Sequence, residues 1–177
     1  MRNIALFQII SEKDPYENIT KVESFLDLIA DKKCDVIVIG ANFISDNLND
    51  TEFEDFKEQL EALGEYNDVS FVFSQKVKNI WKTIMTIPYK ESVILEKGVH
   101  SFEIGKDKKA NVIHINEELK SSYNENELNF ISGLKIKDDD KNLKNVFFAS
   151  SSELGSFINF NKTYSGGNCE GYIIVKI

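Results

Sequence analysis

Residues 4–10 are apolar except for Gln8 and show no alternation, which predicts a strand buried on both faces. Asp14-Pro15-Tyr16-Glu17 follows with an acidic N-cap, a proline at the first helical position and a glutamate three residues after the cap. The spacing predicts a helix over 15–33, with Ile19, Val22, Leu26 and Ile29, joined by Phe25, forming a stripe against a sheet. Asp35-Val36-Ile37-Val38-Ile39 is a second continuous β-branched run, so a right-handed crossover between parallel strands is expected. That strand leads into Gly40-Ala41-Asn42-Phe43, which has no ionisable side chain, at the strand end where α/β proteins collect ligands and catalytic groups.

A second crossover is expected next. Thr51-Glu52-Phe53-Glu54 reads as a capping box, Phe53, Phe56, Leu60 and Leu63 as the buried stripe of a second helix, and Gly64 as its end. Strands are expected over 69–74 and 79–89. Shorter runs over 92–95, 99–104 and 110–115, separated by Lys97-Gly98 and Gly105-Lys106-Asp107, read as antiparallel hairpins. Residues 116–129 are polar and helical in parts, and 134–143 carry Asp138-Asp139-Asp140 on the surface. Val146-Phe147-Phe148-Ala149 and residues 171–177 are the last strands, joined by a long Ser/Asn/Gly connection. With no internal repeat and no linker, residues 1–177 read as a single α/β domain.

Composition narrows the function classes. A net charge of −8, from 29 acidic and 21 basic residues, leaves a deficit of the cations that phosphate contacts need, so neither nucleic acid nor an anionic membrane is an expected partner. The opening run is broken at Ser11-Glu12-Lys13-Asp14, too soon for a signal peptide or a membrane span. Cys34 and Cys169 form neither a CxxC pair nor a disulfide framework, which fits a reducing cytoplasm. No HExxH, HxH, P-loop, GxGxxG or calcium-loop spacing is present, so no metal and no cofactor is expected.

Several segments together resemble the carbon-nitrogen hydrolase family, the nitrilase-like amidases. They are Ile4-Ala5-Leu6-Phe7-Gln8, Asp14, Asn18, Cys34-Asp35-Val36-Ile37-Val38, and Tyr89-Lys90-Glu91 followed by Gly98 and Phe102-Glu103-Ile104. The late segments Asn145-Val146-Phe147-Phe148-Ala149, Gly166-Gly167 and Gly171-Tyr172-Ile173-Ile174 continue the likeness. The resemblance implies a shortened α-β-β-α sandwich, the alternative being a single-sheet, three-layer α/β fold. It also implies a homodimer, and a shortfall after Glu117 where one strand-helix unit is missing.

The family's chemistry uses a cysteine nucleophile, a glutamate general base and a lysine that stabilises the oxyanion. The resemblance puts the glutamate at Ala41 and the cysteine near Ile115, and neither residue is there; Lys90, or Glu91 by spacing, falls where the lysine belongs. The expectation is therefore a catalytically inactive member acting by self-association or by binding a small ligand or a protein. The alternative is a hydrolase on the same scaffold using a different set drawn from Lys90, Glu91, His114, Glu117 and Cys169. His114 alternates with Ile113 and Ile115, so it faces the layer lined by Val112, and with Glu117 it could form an acid-base or metal pair. Cys169 sits in a glycine-rich loop as a possible nucleophile, whereas Cys34 reads as a packing residue.

Overall fold

The computed structural model describes residues 3–104, 108–134, 142–150, 156–160, 162–165 and 170–177. The strands are β1 (Asn3–Gln8), β2 (Cys34–Ile39), β3 (Ser70–Val77), β4 (Ile80–Ile87), β5 (Lys90–Leu95), β6 (Val99–Ile104), β7 (Lys108–Ile113), β8 (Leu128–Gly133), β9 (Val146–Ser150), β10 (Phe157–Phe160), β11 (Lys162–Ser165) and β12 (Gly171–Lys176). The helices are α1 (Pro15–Ile29), α2 (Asp50–Asn67) and α3 (Leu119–Ser122). One six-stranded sheet has the order β12-β1-β2-β3-β4-β5 and the other β11-β10-β9-β8-β7-β6. Two sheets set aside the single-sheet alternative. Each is parallel at its centre, β1-β2-β3 in one and β7-β8-β9 in the other, with antiparallel strands outside.

The two crossovers put α1 and α2 on the outer face of the first sheet, where Ala5, Phe7, Ile37, Ile39, Phe71 and Phe73 meet Ile19, Val22, Leu26, Phe53, Phe56 and Leu60. Alternate residues of the same strands, Ile4, Leu6, Val36, Val38 and Val72, point the other way and pack against Ala110, Val112, Leu128, Phe130 and Phe147 of the second sheet. Burial on both faces is why the strands read as unbroken apolar runs.

The outer face of the second sheet is covered differently. Ile113, Ile131, Val146 and Phe148 pack against Leu119, with Tyr123 and Leu143 at the margin, and α3 is a single turn. The strand of the unit expected to be missing is present as β8, parallel to both β7 and β9.

Several local expectations shift. Asp14 caps α1 by accepting from Tyr16 N at 3.0 Å, but the helix ends at Ile29 and continues as a 3₁₀ turn, Ala30–Lys32. The capping box of α2 is Asn49 with Glu52, upstream of Thr51, and Gly64 lies inside the helix, which ends at Asp68 with φ 53°. Of the short runs, β6 and β7 form a hairpin and β5 pairs back with β4, while β5 and β6 lie in different sheets. Lys97-Gly98 is therefore a crossing between sheets: Gly98 has φ 81°, a conformation an L side chain rarely adopts. The connection before β12 contains β10 and β11. No helix among the described residues is long and apolar enough to cross a membrane.

Candidate functional site

The inward-facing rows of the strands share a feature at one end of the sandwich. Ile4 and Leu6 are followed by Gln8, Val36 and Val38 by Gly40, Val72 by Ser74, Met85 is preceded by Thr83, Ala110 and Val112 are followed by His114, and Leu128 and Phe130 by Ser132. This is the carboxyl end of the parallel strands, where an active site of the resembling family is expected. It is closed by hydrogen bonds that run from sheet to sheet.

Gln8 Oε1 accepts from Ser156 N at 2.7 Å, and Ala41 N donates to Gly133 O at 3.3 Å. Ser74 N donates to Ser132 Oγ at 2.7 Å, and Ser74 Oγ donates to Ser132 O at 3.0 Å. That last bond uses the Ser74 hydroxyl proton, so in the 2.8 Å contact between Ser74 Oγ and Thr83 Oγ1 the donor is Thr83. Thr83 Oγ1 in turn accepts from Ile115 N at 3.1 Å. A directed chain thus runs from Ile115 N through Thr83 and Ser74 to Ser132 O, and Ser74, Thr83 and Ser132 are all fully buried. On the opposite, outer face of the same strand, a Cβ at Gly133 would lie 2.5 Å from the Phe148 ring.

His114 faces the inter-sheet layer, as its alternation with Ile113 predicts, and is 2% exposed. Its Nε2 bonds Trp81 O at 3.2 Å and its Nδ1 accepts from Asn116 N at 3.3 Å, which makes Nε2 the protonated nitrogen and leaves neither free for a substrate. Glu117 Oε1 accepts from Gly98 N at 2.6 Å, and His114 N donates to Gly98 O at 3.0 Å. The structure brings His114 and Glu117 together, but around Gly98, where they clamp the crossing between the sheets.

Lys90 is elsewhere. It starts β5 opposite Ile87, the last residue of β4, and so lies at the amino end of the parallel strands, away from Ala41 and Ile115. The lysine that β5 delivers to the His114 end is Lys97, which is exposed. Glu91 is exposed at the Lys90 end. Cys169, the Gly166-Gly167 pair, the Asp138-Asp139-Asp140 run and the side chains of Phe157 and Phe160 lie outside the described residues. Among the described residues no group of three His, Cys, Asp or Glu side chains is placed to hold a metal ion.

Cys34 packs against the layer between α1, α2 and the first sheet. Burial first, and the neighbouring Asp35 charge second, push its thiol up to about 11. In a Cys169→Ser background, alkylation at pH 8 is expected to be on the order of a hundredfold slower in the folded than in the unfolded protein, since only the thiolate reacts. Equal rates would contradict this placement. Because the unfolded thiol ionises first, any contribution to stability is complete below about pH 9 and is lost as the pH rises toward about 11.

The seam was legible in part. Polar residues ending apolar, alternating rows mark it, and a reading that takes strands one at a time misses that the rows end at a common level. Thr83→Val, which keeps shape but strands Ile115 N and leaves Ser74 Oγ without its donor, is expected to cost about 1–3 kcal/mol in urea unfolding. A Ser74→Ala change made on top should cost less than it does alone, and strict additivity would show that the two hydroxyls are not coupled.

No family model matches the sequence, and no curated protein sequence matches it. Solved structures do match in fold. An amidase from Nesterenkonia sp. AN1 superposes with a TM-score of 0.81 at 10% identity, covering 100% of this chain and 93% of that one. A variant of that amidase bearing acrylamide added to its active-site cysteine gives 0.82 at 10% identity, with 100% and 93% covered. Another, in complex with butyramide, gives 0.81 at 10% identity, with 99% and 90% covered. The chain has the fold of the nitrilase-superfamily amidases.

Proposed function

We propose that this chain is a single-domain, non-catalytic protein of the nitrilase-like fold that works in the cytoplasm by binding, as a homodimer or by taking up a small ligand or a protein partner. The observation that carries the reading is the polar seam. Where the fold's chemistry calls for a glutamate and a cysteine, this chain has Ala41 and Ile115, and the space between them is occupied by hydrogen bonds that satisfy one another. A hydroxyl whose proton is committed to a buried carbonyl has no base to activate it, and an unactivated nucleophile supplies little of the barrier reduction amide hydrolysis needs.

The alternative, a hydrolase using a set drawn from Lys90, Glu91, His114, Glu117 and Cys169, requires the chosen side chains to converge. The placement of Lys90 and Glu91 at one end of the sandwich and of His114 and Glu117 at the other speaks against a set that draws on both pairs. The test is ammonia release from short aliphatic amides and nitriles. The expected result is no release above blank, unchanged in His114→Ala and Glu117→Gln. Turnover abolished by either substitution would overturn the proposal. Sedimentation equilibrium checks the dimer: a mass of one chain, about 20.2 kDa, at all concentrations would remove that part of the reading.

A further inference from the structure

The sandwich is stitched at one end and open at the other. Between the amino ends of β2 and β3, the β4-β5 turn and the end of β6 lies a cleft of about 660 Å³. We propose that this cleft binds a small primary amine carrying an aromatic or alkyl body. This deepens the binding reading above by giving the ligand a place and a chemistry.

The volume is that of a site for a small organic molecule. The floor is the margin of the inter-sheet core, Val36, Met85 and Ile104, and Ile87 and Phe102 stand half-buried above it, so an apolar body has a surface to cover. The rim is charged and unbalanced, with Asp35, Asp68 and Glu103 against Lys90. The carboxylates of Asp68 and Glu103 make no hydrogen bond or ion pair among the described residues, and both are exposed and available to an ammonium group. Tyr89 is 74% exposed, yet its hydroxyl donates to Glu65 O at 3.1 Å, which holds the ring at the rim, where a cation can lie against its face. The net charge of −8 attracts cations and repels anions at longer range. An anion would meet this rim with like charge, and a neutral analogue would gain only the apolar contact.

The experiment is a ¹⁵N chemical-shift titration of the full chain with 2-phenylethylammonium chloride, with 2-phenylethanol and phenylacetate as the neutral and anionic analogues. The amine is expected to give saturable shifts grouped on Met85, Tyr89, Phe102 and Glu103, with affinity about tenfold or more above the alcohol and none for phenylacetate. Asp68→Asn with Glu103→Gln, both at exposed positions, should weaken the amine about fivefold or more while leaving the alcohol unchanged. Shifts that do not saturate or that scatter over the surface, an alcohol that binds as well as the amine, or an unaltered double variant would each overturn the proposal. Ammonia release measured on the same sample reports on catalysis alone, so failure of the amine site and failure of the non-catalytic reading are distinguishable.

Discussion

Placing a glutamate at Ala41 is expected to destabilise the fold by about 3 kcal/mol or more without creating an amidase. Ala41 is fully buried, and its backbone N–H is already committed to Gly133 O. A carboxylate placed there meets a carbonyl acceptor, while the neighbouring hydroxyl protons of Thr83 and Ser74 are donated within the seam, and no lysine or arginine takes part in that chain of bonds. Burial raises the folded-state pKa of the introduced acid, so the loss should be largest at pH 7 and shrink as the pH falls through about 4, where the unfolded carboxyl is protonated too. Urea unfolding at the two pH values measures it. The double change Ala41→Glu with Ile115→Cys should also release no ammonia from acetamide. A loss below about 1 kcal/mol, or turnover by the double variant, would mean that the seam opens more readily than its bonds indicate.

Phe130→Ala is expected to cost about 3–5 kcal/mol, the second large effect. The ring is fully buried at the centre of the inter-sheet core, 5.3 Å from the Phe147 centroid and 5.9 Å from that of Phe102. Removing it leaves a void between two sheets that hydrogen bonds hold at a fixed spacing, so the walls cannot collapse to fill it. Thermal unfolding should fall by roughly 10 °C, while Leu28→Ala, at a side chain 62% exposed, should move it little. Equal shifts for the two would show that the stability does not reside between the sheets.

What could be read in the sequence follows where local chemistry and tertiary burial agree. In the first 40 residues they agree: Asp14 and Pro15 start α1 where their chemistry says, and the stripe Ile19, Val22, Leu26 and Ile29 lies against the sheet. In the second half they part. The crossover from β7 to β8 carries only the single turn α3 and no long amphipathic helix to announce the parallel strands, and β8 itself is disguised by Asn129 and Ser132. Both are fully buried, Asn129 in hydrogen bonds with Asn111 and the Asn124 backbone, and Ser132 in the seam.

The turn between β5 and β6 misleads for a related reason. Lys97-Gly98 has the composition of a hairpin turn, yet Gly98 is held by His114 and Glu117, residues 16 and 19 positions further on, and the chain is sent to the other sheet. Lys90 could be placed only by spacing from a tyrosine, which cannot say at which end of a strand a residue emerges.

The pairing of β1 with β12 bears on how the molecule is assembled. Asn3 lies opposite Lys176 and Gln8 opposite Gly171, so the first strand gains its outer neighbour only from the last. Closing so long a loop carries an entropic cost, and such non-local contacts slow folding. Until β12 docks, β1 presents one bare edge of Ile4, Ala5, Leu6 and Phe7 to solvent, a template on which another unfinished chain can pair. Lys21, bonded to both Glu12 and Glu170 at 2.9 Å, stands at the entrance to β12 and ties it to α1. The shared lysine thus holds the strand that covers this edge against the helix packed on the same sheet.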